Sequence, residues 1–332
     1  MFKILVLTDS RAANTKQSTA LANGIKSVLS SKIAVQIDTT DVKFNFLAKL
    51  PNIIRIWKLS GKISKPREKR YDVIISCGRK LAKISLHAKR KYGAQRTKII
   101  TILNPNIPFS HFDAVLLPKH DNILSLDENN VVNTNGAISY FNPSDFKEDI
   151  AKFSSIITRF HRPYISVAIG GNAKNFVFTQ EIGIAFINQI NDIAKKMDAT
   201  LLITTSRRTP PHIIDNIKKI LDCSYYLYDV SNPRKGENLY NAFLGYADYL
   251  IATADSISMI CEMSYLQKPL YVYKDGINIS KYEQFLTLAQ ANNSVKILDK
   301  NVETLENFLP NTMDCINDVA KDVLKKVNIL FY

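Results

Sequence analysis

Apolar, β-branched runs of strand length alternate with longer amphipathic stretches along the whole chain, the pattern of parallel strands covered on both faces by helices. In the first half, strands are expected at 2–8, 33–38, 72–76, 97–102 and 114–117, with helices starting near Gln17 and Arg79. A second series opens with Tyr164-Ile165-Ser166-Val167-Ala168-Ile169 and continues at 200–204, 225–228, 248–252 and 270–273. Between the two series lie a helix over 143–159 and the linker His161-Arg162-Pro163, because a residue before proline is driven out of helical backbone. The chain reads as two α/β domains, 1–160 and 161–332, with a last helix that can pack back on the N-terminal domain. Each domain is expected to be Rossmann-like and doubly wound. Such sheets put their ligand crevices at the carboxyl ends of the strands, so the two domains are expected to face a central cleft.

Composition narrows the function. The 332 residues, 46% hydrophobic, are enough for two ordinary cores. Cys77, Cys223, Cys261 and Cys315 are too far apart for metal-ligand spacing and too few for a secreted disulfide framework. They fit a reducing, cytoplasmic location. No apolar run approaches the ~20 residues that span a bilayer, and the first apolar run reads as a strand rather than an export signal.

A net charge of +14 favours an anionic partner. The stretch over residues 44–70 mixes Phe44, Phe46, Ile53, Ile54 and Trp57 with Arg55, Lys58, Lys62, Lys65, Arg67, Lys69 and Arg70, with Glu68 the only acid after Arg55. It suits the surface of an anionic membrane, at the inner face of the cytoplasmic membrane; the alternative is a helix pair followed by a solvated loop. No helix-turn-helix, RNA-binding strand or zinc signature accompanies the charge, so nucleic acid is not expected.

The segments with chemistry follow the second series of strands. After 200–204 come Thr205, Ser206, Arg207 and Arg208, with Thr209 as a helix cap and Pro210 at the first helical position. Two guanidiniums beside unpaired helix amides read as an anion site; the other reading is a surface loop whose arginines pair with nearby acids. After 248–252, Asp255 or Ser256 can cap a helix and leave amides up to Ser258 open to a phosphate. Glu262, about 9 Å along that helix from Ser256, is placed either to accept ribose hydroxyls or to face solvent. Gly170-Gly171-Asn172 sits where glycine lets backbone approach a ligand, or simply turns. Gly236, Glu237 and Asn238 either line the same crevice or form a turn with a cap at Asn238.

In the first loop, Asp9 is either a general base for an acceptor hydroxyl or a helix-start residue. That loop lacks the glycine-rich dinucleotide fingerprint, so no NAD is inferred. There is no Walker loop, nucleophile elbow or His/Cys cluster, and neither a metal nor a cofactor is expected.

The chain resembles the elongated-mitochondria fission family, whose bacterial members look like glycosyltransferases of the two-lobed GT-B type. The matching stretches are Leu7-Thr8-Asp9, Ser76-Cys77-Gly78-Arg79, Phe112-Asp113, Pro118-Lys119-His120-Asp121 and Ala168-Ile169-Gly170-Gly171. They continue with Thr204-Thr205-Ser206-Arg207-Arg208-Thr209-Pro210, Gly236-Glu237-Asn238, Thr253-Ala254-Asp255-Ser256-Ile257-Ser258-Met259 and Lys268-Pro269. The resemblance implies a nucleotide-sugar donor held by the C-terminal domain, an acceptor facing the N-terminal one, and transfer without a metal. The expected reaction is transfer to a lipid-linked or lipopolysaccharide-type acceptor at the membrane, with Arg207, Arg208 and the helix starting near Ser256 stabilising the departing diphosphate. Ser10 and Ala13 replace glycines usual in the family's first loop, which bears on the acceptor chemistry. The plant members' link to organelle division implies the alternative of a non-catalytic, nucleotide-binding scaffold that recruits a protein partner. An epimerase or hydrolase on the same architecture lacks convincing acid/base pairs.

Overall fold

The structure is a computed structural model and describes residues 1–9, 11–44, 61–64, 66–67, 70–121, 129–140, 143–173, 176–232, 238–277 and 279–329. Gly236, Glu237 and most of the basic stretch over 44–70 lie outside the described residues. Contacts divide the chain into two compact units, Met1–Tyr140 with Asp314–Tyr332, and Phe141–Met313.

Unit 1 runs β1 (Phe2–Thr8), α1 (Ala12–Leu29), β2 (Val35–Phe44), β3 (Gly61–Ile63), β4 (Tyr71–Cys77), α2 (Arg79–Tyr92), β5 (Gly93–Ile102), β6 (Ala114–Pro118) and β7 (Val131–Thr134). The sheet order is β3-β2-β1-β4-β5-β6-β7. All pairings are parallel except that of β3, which runs antiparallel to β2. Leu5, Val6 and Leu7 are fully buried at the centre because helices cover both faces, which is why β1 reads as an unbroken apolar run.

Unit 2 runs α3 (Pro143–Ile157), β8 (Tyr164–Ala168), α4 (Gln180–Lys196), β9 (Thr200–Thr204), α5 (Pro211–Ile220), β10 (Tyr225–Tyr228), α6 (Tyr240–Tyr246), β11 (Tyr249–Thr253), α7 (Ile257–Ser264), β12 (Leu270–Tyr273), α8 (Ser280–Ala291) and β13 (Lys296–Ile297). Its sheet, β10-β9-β8-β11-β12-β13, is parallel throughout. Both sheets reverse strand order beside their first strand, between β1 and β4 and between β8 and β11, the switch points where doubly wound folds open a crevice.

The boundary expected near residue 160 falls instead at 140, while the last helix packs back on the first unit, the arrangement the sequence allowed. Two packing facts decide this. Phe153 and Ile157 of α3 bury against Tyr164, Leu202, Leu239 and Phe243, and Asn241 donates to Asp149 at 2.7 Å, so α3 belongs to unit 2. The final helix, α9 (Ile316–Lys326), lies on α1 in unit 1. A Cβ on Gly24 would stand 2.8 Å from Ile316 Cγ1 and 3.0 Å from its carbonyl oxygen, so glycine there permits the close approach. The carboxylate of Asp314, just before α9, accepts the N–H groups of Asn135 (3.0 Å) and Gly136 (2.8 Å).

Among the described residues, the strands β3, β7 and β13 went unread because short edge strands carry little periodic signal. Helix α1 begins at Ala12, earlier than the apolar pattern near Gln17 announced.

Candidate functional site

In unit 2 the loops after β8, β9 and β11 converge on the carboxylate of Asp255, which is 3% exposed. Its Oδ2 accepts the Gly171 N–H at 3.0 Å and Arg208 Nη2 at 2.7 Å. Its Oδ1 accepts the Thr253 hydroxyl at 2.7 Å, and that hydroxyl in turn accepts the Gly170 N–H at 2.8 Å. Arg208 Nη1 donates to the carbonyls of Gly171 (3.3 Å) and Asn172 (2.9 Å). The buried carboxylate is therefore paired and hydrogen-bonded on both oxygens, the condition under which a charge is tolerated inside a protein.

This arrangement changes the roles read from sequence. Asp255 does not cap α7; it turns back into the loops. A Cβ on Gly170 would collide with the Asp255 carboxyl group, and one on Gly171 with the backbone of Arg208 and Thr209. Both glycines are needed by the protein's own loops. Asn172 is fixed locally, accepting the Phe178 N–H at 2.8 Å through Oδ1 and donating its own N–H to Arg208 O at 3.0 Å. Thr205 is buried, donating to Asp229 Oδ1 at 3.2 Å and accepting the Val230 N–H at 3.0 Å. Ser206 accepts the Arg208 N–H at 3.1 Å.

The start of α5 also differs from expectation. Thr209 accepts the Ser206 N–H at 2.8 Å and donates to the Gly170 carbonyl, holding the loop rather than the helix. Pro210 is the N-cap and Pro211 the first helical residue, so two potential donors are absent and Ile213 N–H returns to Pro210 O at 3.0 Å. That helix start is poor in amides.

Helix α7 is better furnished. Ser256 is its N-cap, with extended backbone and no side-chain capping bond. Met259 and Ile260 donate to Ser256 O, while the amides of Ser256, Ile257 and Ser258 find no acceptor among the described residues. The Ser256 and Ser258 side chains are half-buried. Arg207 is exposed and has no hydrogen bond or ion pair among the described residues. Glu262, half-buried one turn beyond Ser258, accepts the Tyr240 hydroxyl at 3.4 Å. Desolvation, followed by the neighbouring Glu262 charge, pushes that phenol well above its ordinary pKa. Asn238 is exposed and accepts the Tyr240 N–H at 3.3 Å, a local turn at the start of α6.

In unit 1, both oxygens of Asp9 are engaged by Arg11: Oδ1 accepts its N–H at 3.0 Å, and Oδ2 accepts Nε at 2.8 Å and Nη2 at 2.6 Å. Arg11 is the N-cap of α1, so the resting geometry of Asp9 is that of a helix-start residue.

Sequence reasoning missed Thr253, Thr209 and Tyr240 as organisers. Thr253 and Asp255, two apart after a strand, carried a usable signal, since short polar side chains there reach neighbouring loops. Tyr240 carried none. No cluster of three or more His, Cys, Asp or Glu side chains able to hold a metal occurs among the described residues, and no helix there is long and apolar enough to cross a membrane.

Comparison with known proteins fits this architecture. The model of the Mitochondrial fission ELM1 family matches residues 12–327. An uncharacterized protein of Rickettsia prowazekii (strain Madrid E) is 31% identical over 341 residues, covering 92% of this chain and 93% of its own length. The mitochondrial fission protein ELM1 of Arabidopsis thaliana is 25% identical over 225 residues, 60% of this chain and 51% of the plant protein. Among solved structures, the UDP-GlcNAc 2-epimerase of Neisseria meningitidis bound to UDP-GlcNAc aligns over 99% of this chain and 100% of its own, with a TM-score of 0.55 and 13% identity. At that identity the likeness is one of fold.

Proposed function

This chain belongs to the Mitochondrial fission ELM1 family, and from that premise and the loops of unit 2 we propose that it is a GT-B type glycosyltransferase using a nucleotide-sugar donor without a metal ion. One observation carries the reading. At the switch point of the second sheet, loops tied together by Asp255 leave Arg207 unpaired among the described residues, and the amides of Ser256, Ile257 and Ser258 open at the start of α7. Glycosyl transfer builds negative charge on the departing diphosphate, and a guanidinium with helix-terminal amides, held in place beforehand, stabilises that charge.

Glu262, one turn further along α7, would accept hydrogen bonds from ribose hydroxyls. Arg208 contributes indirectly, by holding Asp255 and the carbonyls of Gly171 and Asn172. The solved epimerase of this fold holds UDP-GlcNAc, which makes UDP and UDP-GlcNAc the first ligands to test.

Unit 1 would receive the acceptor, a lipid-linked or lipopolysaccharide-type glycan at a membrane surface engaged through residues 44–70. Asp9 acts as base for its hydroxyl only after Arg11 has moved off the carboxylate.

A scaffold that binds nucleotide and recruits a protein partner is the second reading. It is favoured by the way Arg208 and Arg11 are each already neutralised by a neighbouring carboxylate, Asp255 and Asp9, without any ligand. Release of UDP from UDP-sugars across a set of acceptors separates the two. Turnover that falls more than UDP affinity in Arg207→Ala supports the transferase. A nucleotide that binds and is never turned over supports the scaffold.

A further inference from the structure

A second concentration of positive charge lies in unit 1, at the switch point of the first sheet. Helix α2 opens with Arg79, Lys80 and Lys83 and has no acid in its first turn, although cations are disfavoured at the positive end of a helix. Its N-cap, Gly78, has φ of 81° and no side chain to satisfy the first amides. The amides of Leu81 and Ala82 return to Gly78 O, and the Lys80 amide finds no acceptor among the described residues.

Lys83 makes the arrangement unusual. Its side chain is 2% exposed, yet it has no hydrogen bond or ion pair among the described residues. Helical side chains lean toward the N-terminus, so Lys83 lies over the first turn, four residues from Arg79 and three from Lys80. Burial lowers its pKa, and the charges of Arg79 and Lys80 lower it further, so three like charges gather at one place.

Arg11 stands at the same helix end: a Cβ on Gly78 would lie 3.6 Å from its Nη2 and 3.8 Å from its Nη1. The nearby acid, Asp9, is already committed to Arg11 through both oxygens. The Lys83 residue is buried, and with no counter-charge among the described residues its ammonium, crowded by Arg79 and Lys80, is stabilised by an anion at the helix start. A structure that keeps it there is organised to receive an anion.

We propose that the N-terminus of α2, with Lys83, Lys80 and Arg79, is a second anion site that takes a phosphoryl or pyrophosphoryl group. Assigning that group to the acceptor rests on the transferase reading; the anion site itself does not.

Inorganic pyrophosphate is the probe, with binding followed by calorimetry at low ionic strength on the full chain. Arg207→Ala serves as background, to weaken binding in unit 2. Residual pyrophosphate binding is expected in that background, and Lys83→Met should weaken it roughly tenfold or more while leaving UDP affinity in the otherwise unaltered protein unchanged. Lys83→Met should also melt higher than its parent without ligand, because it removes an uncompensated charge. Should Lys83→Met not fold, Lys80→Gln in the same background must weaken pyrophosphate binding several-fold.

Residual binding that is absent, or indifferent to both lysine substitutions, overturns the site, whatever UDP does. UDP that fails to bind the unaltered protein while lysine-dependent pyrophosphate binding persists overturns the nucleotide reading and leaves this site standing. Phosphate alone matching pyrophosphate in affinity assigns the ligand to the phosphoryl class.

Discussion

Arg208 donates to the Asp255 carboxylate at 2.7 Å, joining the loop after β9 to the loop after β11 across the intervening strand β8. Asp255 is wholly buried at its side chain and Arg208 is 42% exposed. Removing one partner of such a pair leaves a buried charge without its counter-ion, at a cost of roughly 3–5 kcal/mol that partial solvation of the guanidinium reduces. Arg208→Ala is expected to lower the melting temperature clearly. Arg208→Ala combined with Asp255→Ala should lose less than the sum of the two single changes, which a double-mutant cycle by thermal denaturation measures.

Arg207, its neighbour in sequence, should behave in the opposite way. Its side chain is exposed and unbonded among the described residues, so Arg207→Ala should change stability by no more than about 0.5 kcal/mol. Loss of a charge-assisted contact to a diphosphate should weaken UDP binding by roughly tenfold or more. Calorimetric titration with UDP checks this, and an unchanged affinity removes Arg207 from the site.

Gly170→Ala and Gly171→Ala test whether these glycines serve the protein's own loops. A methyl at either position meets Asp255 or the Arg208–Thr209 backbone, and overpacking of this kind costs roughly 1–3 kcal/mol. Both variants should melt lower even without ligand. Normal stability with lost nucleotide binding would restore the ligand-approach reading.

Glu262→Gln separates the two ends of a nucleotide. If the carboxylate accepts ribose hydroxyls, the substitution should weaken UDP several-fold and leave pyrophosphate affinity unchanged, because only UDP has a ribose. Equal weakening of both would mean that Glu262 acts through the Tyr240 hydroxyl it accepts at 3.4 Å.

Asp314 predicts a pH dependence. Burial raises its pKa from 3.8 to about 6, against the lowering effect of the Asn135 and Gly136 amides. Between those values the folded protein holds a proton that the unfolded chain has released, so stability from this group is full at the acid end and is lost as pH rises through about 6. The shift corresponds to at most about 3 kcal/mol. Asp314→Asn should flatten this part of the stability profile, read from denaturant melts across that pH range. An unchanged slope would assign it to other groups.

The sequence by itself determined the strand-and-helix alternation, because strands buried on both faces must be continuous apolar runs and their covering helices must be amphipathic. It also marked where polar loops follow strands, and so placed Arg207, Arg208 and Asp255 in the same kind of position. Only the tertiary structure decided what those residues do to one another. That Arg208 is used up by Asp255 while Arg207 is left without a partner among the described residues depends on strand order, which sets β9 and β11 on either side of β8. No local pattern encodes that order. The same holds for the unit boundary: α3 and α9 have ordinary amphipathic faces, and their partners, Leu239 with Phe243 in one case and Gly24 in the other, lie far away in sequence. Hydrophobic periodicity states that a face must be covered, and long-range packing alone selects what covers it.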